Sequence, residues 1–467
     1  MVRLLRHSVT ISFFSLLFSS CSLHVLNNSN SNSNSNANTS DVALTCTAAA
    51  VNATVVSNTE FVATGSMTQA KYLQTTVELA DGKVLMAGGL ALDQKKAETY
   101  DPTTGLFTAT SDMNHTRRYG TGSLLPDGRV LMAGGVDAGV GAGTLTTELY
   151  SPVTRSFTNG PDMSEAKWAF TATTLNDGSI LLAGGWSGAV SLASAQIYDP
   201  VGGTFTTVGS MVSIRSSHTA SLLPDGRVLI VGGFKSGVAY RLDAEIYDPV
   251  AQTFSTVAST MDDTRSQHKA TTLADGRIFI SGGKNDTGTL ASTAIYDPST
   301  GLFTAAAPMP IAVYGHSATL LTNGKVLVLG GYNDAAALAY ANAELYDPST
   351  DSYEVITNLG FDIYYHQAIL LNNDKVLIAG GAHTDGVGLD TAYLFTVLGP
   401  TITPGTLTCT ASGGDASYTY SVDSGAGTIT NAGVYSTGTA TTAQAVTIKA
   451  VDGAGNSATA SFNITIN

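Results

Sequence analysis

One position recurs seven times along this chain and is cationic in five of them: Lys71, Arg117, Lys167, Arg215 and Arg265, with Val313 and Ile363 at the other two. Each cation stands four residues after a methionine, Met67, Met113, Met163, Met211 and Met261. Cations supplied once per unit and gathered on one surface would favour an acidic peptide or an anionic sugar. A structural role competes with that chemistry, in which the same groups bond Glu98, Glu148 and Glu245. Three residues farther on, His218, His268, His316 and His366 form a second column. A shared metal would need nitrogens at bonding distance near 2.1 Å. Units whose sheets pack about 10 Å apart cannot bring them together, so these histidines are expected to be buried and bonded to backbone. Aromatic residues form a third set: Tyr72, Trp168, Tyr314 and Tyr364 five residues after the opening position, and Trp186, Phe234 and Tyr332 just after a Gly-Gly pair. Aromatic faces beside polar groups suit sugar rings or a protein hot spot; packing between units is the alternative.

The elements that must position these residues are short strands. A Gly-Gly pair ends an apolar run seven times, beginning at Gly88, Gly134, Gly184, Gly232, Gly282, Gly330 and Gly380, at spacings of 46 to 50 residues. Each run follows a hairpin signal such as "LADGKVLMAGG" or "LPDGRVLMAGG". A strand ending near "YDP" and a further strand carrying Phe come next, as in "AEIYDPVAQTF". Four strands per unit at this period predict propeller blades.

The Gly-Gly pairs and the aromatics of the later strands resemble kelch repeats over residues 59–398. The resemblance implies an all-β, seven-bladed propeller whose cationic, aromatic and post-glycine positions lie at one mouth of the central channel. Turns such as Asp81–Lys83 would lie on the opposite face. The seventh repeat, with its third strand at "TAYLF", has no clear fourth strand, and "EFVAT" (60–64) stands before the first repeat with nothing to close. The N-terminal strand is therefore expected to complete the last blade and close the ring. Seven such blades followed by an immunoglobulin-like domain also resemble the galactose-oxidase family, and "YYH" (364–366) is similar to its Tyr-His pair. That family's copper site needs a propeller Cys and a C-terminal His. Here the repeats hold no Cys and residues 400–467 hold no His. No cofactor is expected.

Residues 1–21 read as an export signal, with Arg3 and Arg6 before the apolar run "ISFFSLLF". The ending "LFSSC" resembles a bacterial lipoprotein signal, which would make Cys21 the lipidated residue and imply the outer membrane or cell surface. Residues 22–58, with "NNSNSNSNSNANTS", are expected to be a disordered tether and lead-in. Residues 399–467 alternate with period two and look like a small immunoglobulin-like β-sandwich. The other two cysteines, Cys46 and Cys409, each sit in "LTCTA" and form an even pair that an oxidising compartment could join; two small buried hydrophobes are the alternative.

The chain has 467 residues, 12% of them charged, and a net charge of −14. So acidic a chain argues against nucleic acid or anionic lipid as a partner. The function expected is a monomeric, non-catalytic envelope protein binding a protein partner or glycan at the propeller mouth. The alternative is a carbohydrate-active enzyme with its site at the same mouth.

Overall fold

The computed structural model describes residues 22–23, 43–48 and 59–464, apart from 91, 138–141, 238, 357–358, 398–405, 413–416, 425–427, 433, 437–443 and 453–456. The expected export signal and Asn/Ser-rich tether lie outside the described residues. The chain divides into two units, 60–396 and a second made from both chain ends.

The larger unit is a seven-bladed β-propeller. Blade 4 shows the pattern: strands Thr219–Leu222, Val228–Val231, Ala244–Asp248 and Thr253–Thr256 pair antiparallel in chain order. The second strand of every blade is buried along its whole length, as "VLMA" or "VLIV" composition demands. Apolar side chains of adjacent blades interleave between the sheets, for example Leu181 and Met211 against Val228 and Tyr247. A tilted aromatic pair joins the third and fourth strands of each blade, such as Tyr100–Phe107 at 4.9 Å and Tyr247–Phe254 at 4.8 Å.

Neighbouring blades are stitched at the Gly-Gly pairs. The second glycine donates its amide to the carbonyl of the position four after the next opening residue: Gly89 to Arg117, Gly135 to Lys167, Gly185 to Arg215, Gly233 to Arg265, Gly283 to Val313, Gly331 to Ile363 and Gly381 to Lys71, at 2.7–3.0 Å. The approach leaves no room for a side chain. At Gly232, where φ is +61°, a Cβ would meet the Arg265 carbonyl at 2.7 Å.

Ring closure follows the expectation from sequence. Thr59–Ala63 is the fourth strand of blade 7, beside Ala392–Val397. Thr64 donates its amide to Ala392, and Phe61 meets Phe395 at 4.9 Å, the same pair as in the other blades but drawn from opposite ends of the chain.

Among the described residues, the second unit holds two antiparallel sheets. Here the structure differs from the disorder expected for residues 22–58 at two short pieces: Ala43–Ala48 is a strand paired with Thr406–Ser412, and Ser22–Leu23 pairs with it in turn. The alternation of "ALTCTA" fits one face of a sheet, and its partner has the same local sequence. The backbone register sets Cys46 opposite Cys409.

Candidate aromatic mouth and the buried ion pairs beneath it

The five repeated cations do not form an exposed collar. Lys71, Arg117, Lys167, Arg215 and Arg265 are at most 1% exposed, so they are not surface ligand-binding groups. Arg117 Nη2 lies 3.0 Å from Glu148, Arg215 Nη2 2.6 Å from Glu245, and Lys71 Nζ 2.5 Å from Glu98. Lys167 pairs with Glu165 at 3.2 Å. The glutamates also accept backbone amides from the turn after the opening methionine, as when Val212 and Ser213 donate to Glu245 at 2.7 and 3.0 Å. Paired in this way, these charges tie the start of the first strand to the third.

Strand register aligns this glutamate position across the blades: Glu98, Glu148, Gln196, Glu245, Ala294, Glu344 and Tyr393. Blade 6 carries the acid without the base, because Val313 replaces the cation. Pro310, following Met309, also has no amide to donate there. Glu344, 1% exposed, accepts from Asn342 at 2.7 Å, and burial pushes its carboxyl up to about 7. Between its ordinary value of 4.5 and about 7 the folded protein therefore holds a proton that the unfolded chain releases. Stability from this group is fully present below pH 4.5 and is lost as pH rises through 7, by up to about 3 kcal/mol. Glu344→Gln should thus be more stable than wild type at pH 8, with the gap closing by pH 5 in urea titrations. An equal gap at both pH values would mean that Glu344 is ionised throughout.

The histidine column is buried and structural; hydroxyls are its shared partners, and His218 also bonds the Ala183 backbone as expected. The Nε2 atoms of His218, His268, His316 and His366 pair with Thr171, Thr219, Ser281 and Ser317 of the preceding blade at 2.8–3.1 Å. Burial, the largest cause, pushes His218, His316 and His366 down to about 3, so they remain neutral.

The two aromatic columns lie side by side. The residue five after the opening position bridges to the residue after Gly-Gly in the same blade: Tyr72 to Leu90, Trp168 to Trp186, Ser216 to Phe234, Tyr314 to Tyr332 and Tyr364 to Ala382. Two arcs of ring contacts result. One runs Tyr119–Trp168–Trp186–Phe234–Tyr240 with centroids 5.3–6.3 Å apart. The other joins Tyr332, Tyr364, Tyr365 and Tyr314 at 5.0–6.1 Å. Tyr314 is buried, and Tyr72, Trp168, Trp186, Phe234, Tyr332 and Tyr364 are half-buried. Lys284 lies 4.2 Å over the Tyr314 ring, whose hydroxyl donates to Asp334 at 3.0 Å.

Tyr119 escaped the sequence reading, and Tyr365 entered it only as the middle residue of "YYH". They belong to a seventh-residue column (Leu73, Tyr119, Ala169, Ser217, Gln267, Gly315, Tyr365) held at positive φ in every blade. Their amides donate to the previous blade around the inner rim: Tyr119 to Leu73, Ala169 to Tyr119, Ser217 to Ala169, Gln267 to Ser217, Tyr365 to Gly315 and Leu73 to Tyr365. Tyr365 lies across Gly315, where a Cβ would meet its ring at 3.0 Å, and donates to Gln267 at 2.6 Å. Gly315 is the one sequence signal for this backbone state. Burial pushes the phenols of Tyr119, Tyr314, Tyr364 and Tyr365 up, so they stay protonated and serve as donors and apolar faces.

Residues 168–212 match the family model of the kelch motif. No curated protein matches the chain. Among solved structures, one described as a novel fungal alcohol oxidase with catalytic diversity among the AA5 family, in complex with copper, is similar at a TM-score of 0.58 and 17% identity, over 87% of this chain and 98% of its own. At that identity the likeness shows the fold, and the protein is a seven-bladed propeller carrying a kelch motif. Among the described residues no three His, Cys, Asp or Glu side chains are grouped to hold a metal ion, and each columnar histidine is engaged on its own blade boundary.

Proposed function

We propose that the protein is a non-catalytic binding module of the cell envelope, with the aromatic mouth receiving a protein partner or a glycan. The two arcs of half-buried rings carry this reading, because aromatic faces held rigid by their neighbours offer large contact area at low entropic cost. Kelch propellers are commonly protein-binding scaffolds. Both tryptophans of the chain, Trp168 and Trp186, stand in this site, so intrinsic fluorescence reports on it directly. Screening residues 41–467 against a glycan array and envelope extracts should yield a ligand that shifts that emission. Trp168→Ala and Trp186→Ala should each weaken its binding by roughly 10-fold or more, the loss of an aromatic anchor. Retained affinity in both variants would rule out the mouth.

Export and a lipid anchor on Cys21, a spacer role for the C-terminal immunoglobulin-like unit, and a Cys46–Cys409 disulfide complete this proposal. Opposed antiparallel residues have Cα atoms about 4.5–5.5 Å apart, within the range a disulfide spans. Its formation would pass two electrons from the thiols to an envelope disulfide oxidant, with release of two protons. Intact-mass spectrometry of the exported protein reads both modifications, and an unmodified Cys21 or two free thiols would remove the corresponding part.

A further inference from the structure

Blade 5 keeps the cation of the buried pair and lacks its acid. Ala294 occupies the register that Glu245 holds in blade 4: Ala294 pairs with Ile280 as Glu245 pairs with Ile230. In place of the carboxylate lies a cavity of about 100 Å³ whose lining includes Arg265, Asp262, Asp263, Ala294, Phe303 and Ala306. Arg265 is 1% exposed. Its Nη1 donates to the Gly282 and Ser292 carbonyls at 2.9 Å, and its Nη2 to Ser292 Oγ at 3.0 Å. Its Nε has no partner, as is also true of Arg215 Nε in blade 4, so the missing acid and the cavity distinguish blade 5. The amides of Asp262 and Asp263 hold the places of Val212 and Ser213, which donate to Glu245 in blade 4. The carboxylate nearest the guanidinium is Asp263 Oδ2 at 4.0 Å, on a side chain 40% exposed. Asp262 is exposed beside it. A second carboxylate is compatible with an occupied site: in blade 4 Asp243 Oδ2 lies 3.5 Å from the Arg215 guanidinium that already holds Glu245.

We propose that this cavity is a binding site for a small carboxylate, with Arg265 and the Asp262 and Asp263 amides holding its two oxygens and Phe303 and Ala306 covering a short alkyl tail. The other blades supply the pattern, since each of Glu98, Glu148 and Glu245 places a carboxylate on the same arrangement of cation and turn amides. Burial lowers Arg265 to about 10, which still leaves it charged at neutral pH. The site stands apart from the reading of the aromatic mouth and does not rest on it.

The test uses the full chain with ¹³C-acetate, propionate and a short peptide ending in Glu as separate probes, against chloride at matched ionic strength. NMR should show saturable binding of acetate or propionate with half-saturation at about 1 mM, as suits so few heavy atoms. Binding by the peptide as well would identify a chain terminus as a source of the carboxylate. Ala294→Glu should abolish binding, because its own carboxylate fills the cavity, and should raise the melting temperature. Absence of saturable binding of all three probes to the wild-type protein overturns the proposal, whatever the variant does. Equal binding to wild type and a folded Ala294→Glu also overturns it, because the anion then sits elsewhere.

Discussion

Glu245→Ala is expected to lower the free energy of unfolding by about 3–5 kcal/mol, the usual cost of leaving a buried charge without its partner. Arg215 is 0% exposed, so water cannot replace the missing carboxylate, and Asp243, 3.5 Å from the guanidinium and 25% exposed, is left as a longer and weaker partner. The amides of Val212 and Ser213 lose their acceptor in the same step. The double variant Arg215→Met/Glu245→Leu should recover most of the loss, because it removes the charge as well as its partner. The chain already contains that solution: blade 7 has Ile363 and Tyr393 at these two positions. Urea unfolding of the two variants decides the matter. Single and double variants equally unstable would show that packing, and not the uncompensated charge, sets the cost.

Removing residues 41–64 should leave blade 7 with three strands and an unpaired edge along Ala392–Val397, and in the second unit it also takes Ala43–Ala48 from Thr406–Ser412. The deletion takes away the Phe61–Phe395 contact and the Thr64 amide bond to Ala392. A raw edge of this length templates pairing with other chains, so the shortened protein should elute as oligomers or aggregate. Light scattering after size exclusion is the measurement. A soluble monomer with the melting temperature of the parent would show that the ring closes without the terminal strand.

The fold was legible because every blade repeats the same local instructions: hairpin turn, apolar run, Gly-Gly and "YDP". The missing fourth strand of the seventh repeat pointed to the strand that supplies it. The cations were ambiguous for a physical reason. The sequence offered Glu98, Glu148 and Glu245 as counter-charges, and the structure pairs all three, but burial could not be read from residues as far apart as Arg215 and Glu245, 30 positions along the chain. The tilted ring contacts at the mouth were half legible, since two aromatic columns could be counted. Tyr119 and Tyr365 could not, because their column is defined by backbone conformation and tolerates Leu, Ala, Ser and Gln equally. The segment Ala43–Ala48 looked like part of a linker because its partner, Thr406–Ser412, lies at the other end of the sequence.

That the ring closes with Thr59–Ala63 also sets a schedule for biosynthesis. This strand leaves the ribosome before any blade exists, while its partner Ala392–Val397 appears only after the other six blades. At ~5–20 residues per second the wait is roughly 15–65 s. Throughout it "TEFVA" is a short β-prone segment without a mate. The blades between can form in order from their own hairpins, whose contacts are local. Completion of the propeller is then a late, long-range event, and it coincides with the arrival of the last residues of blade 7. A factor that shields the N-terminal strand during this interval would act on yield rather than on final stability.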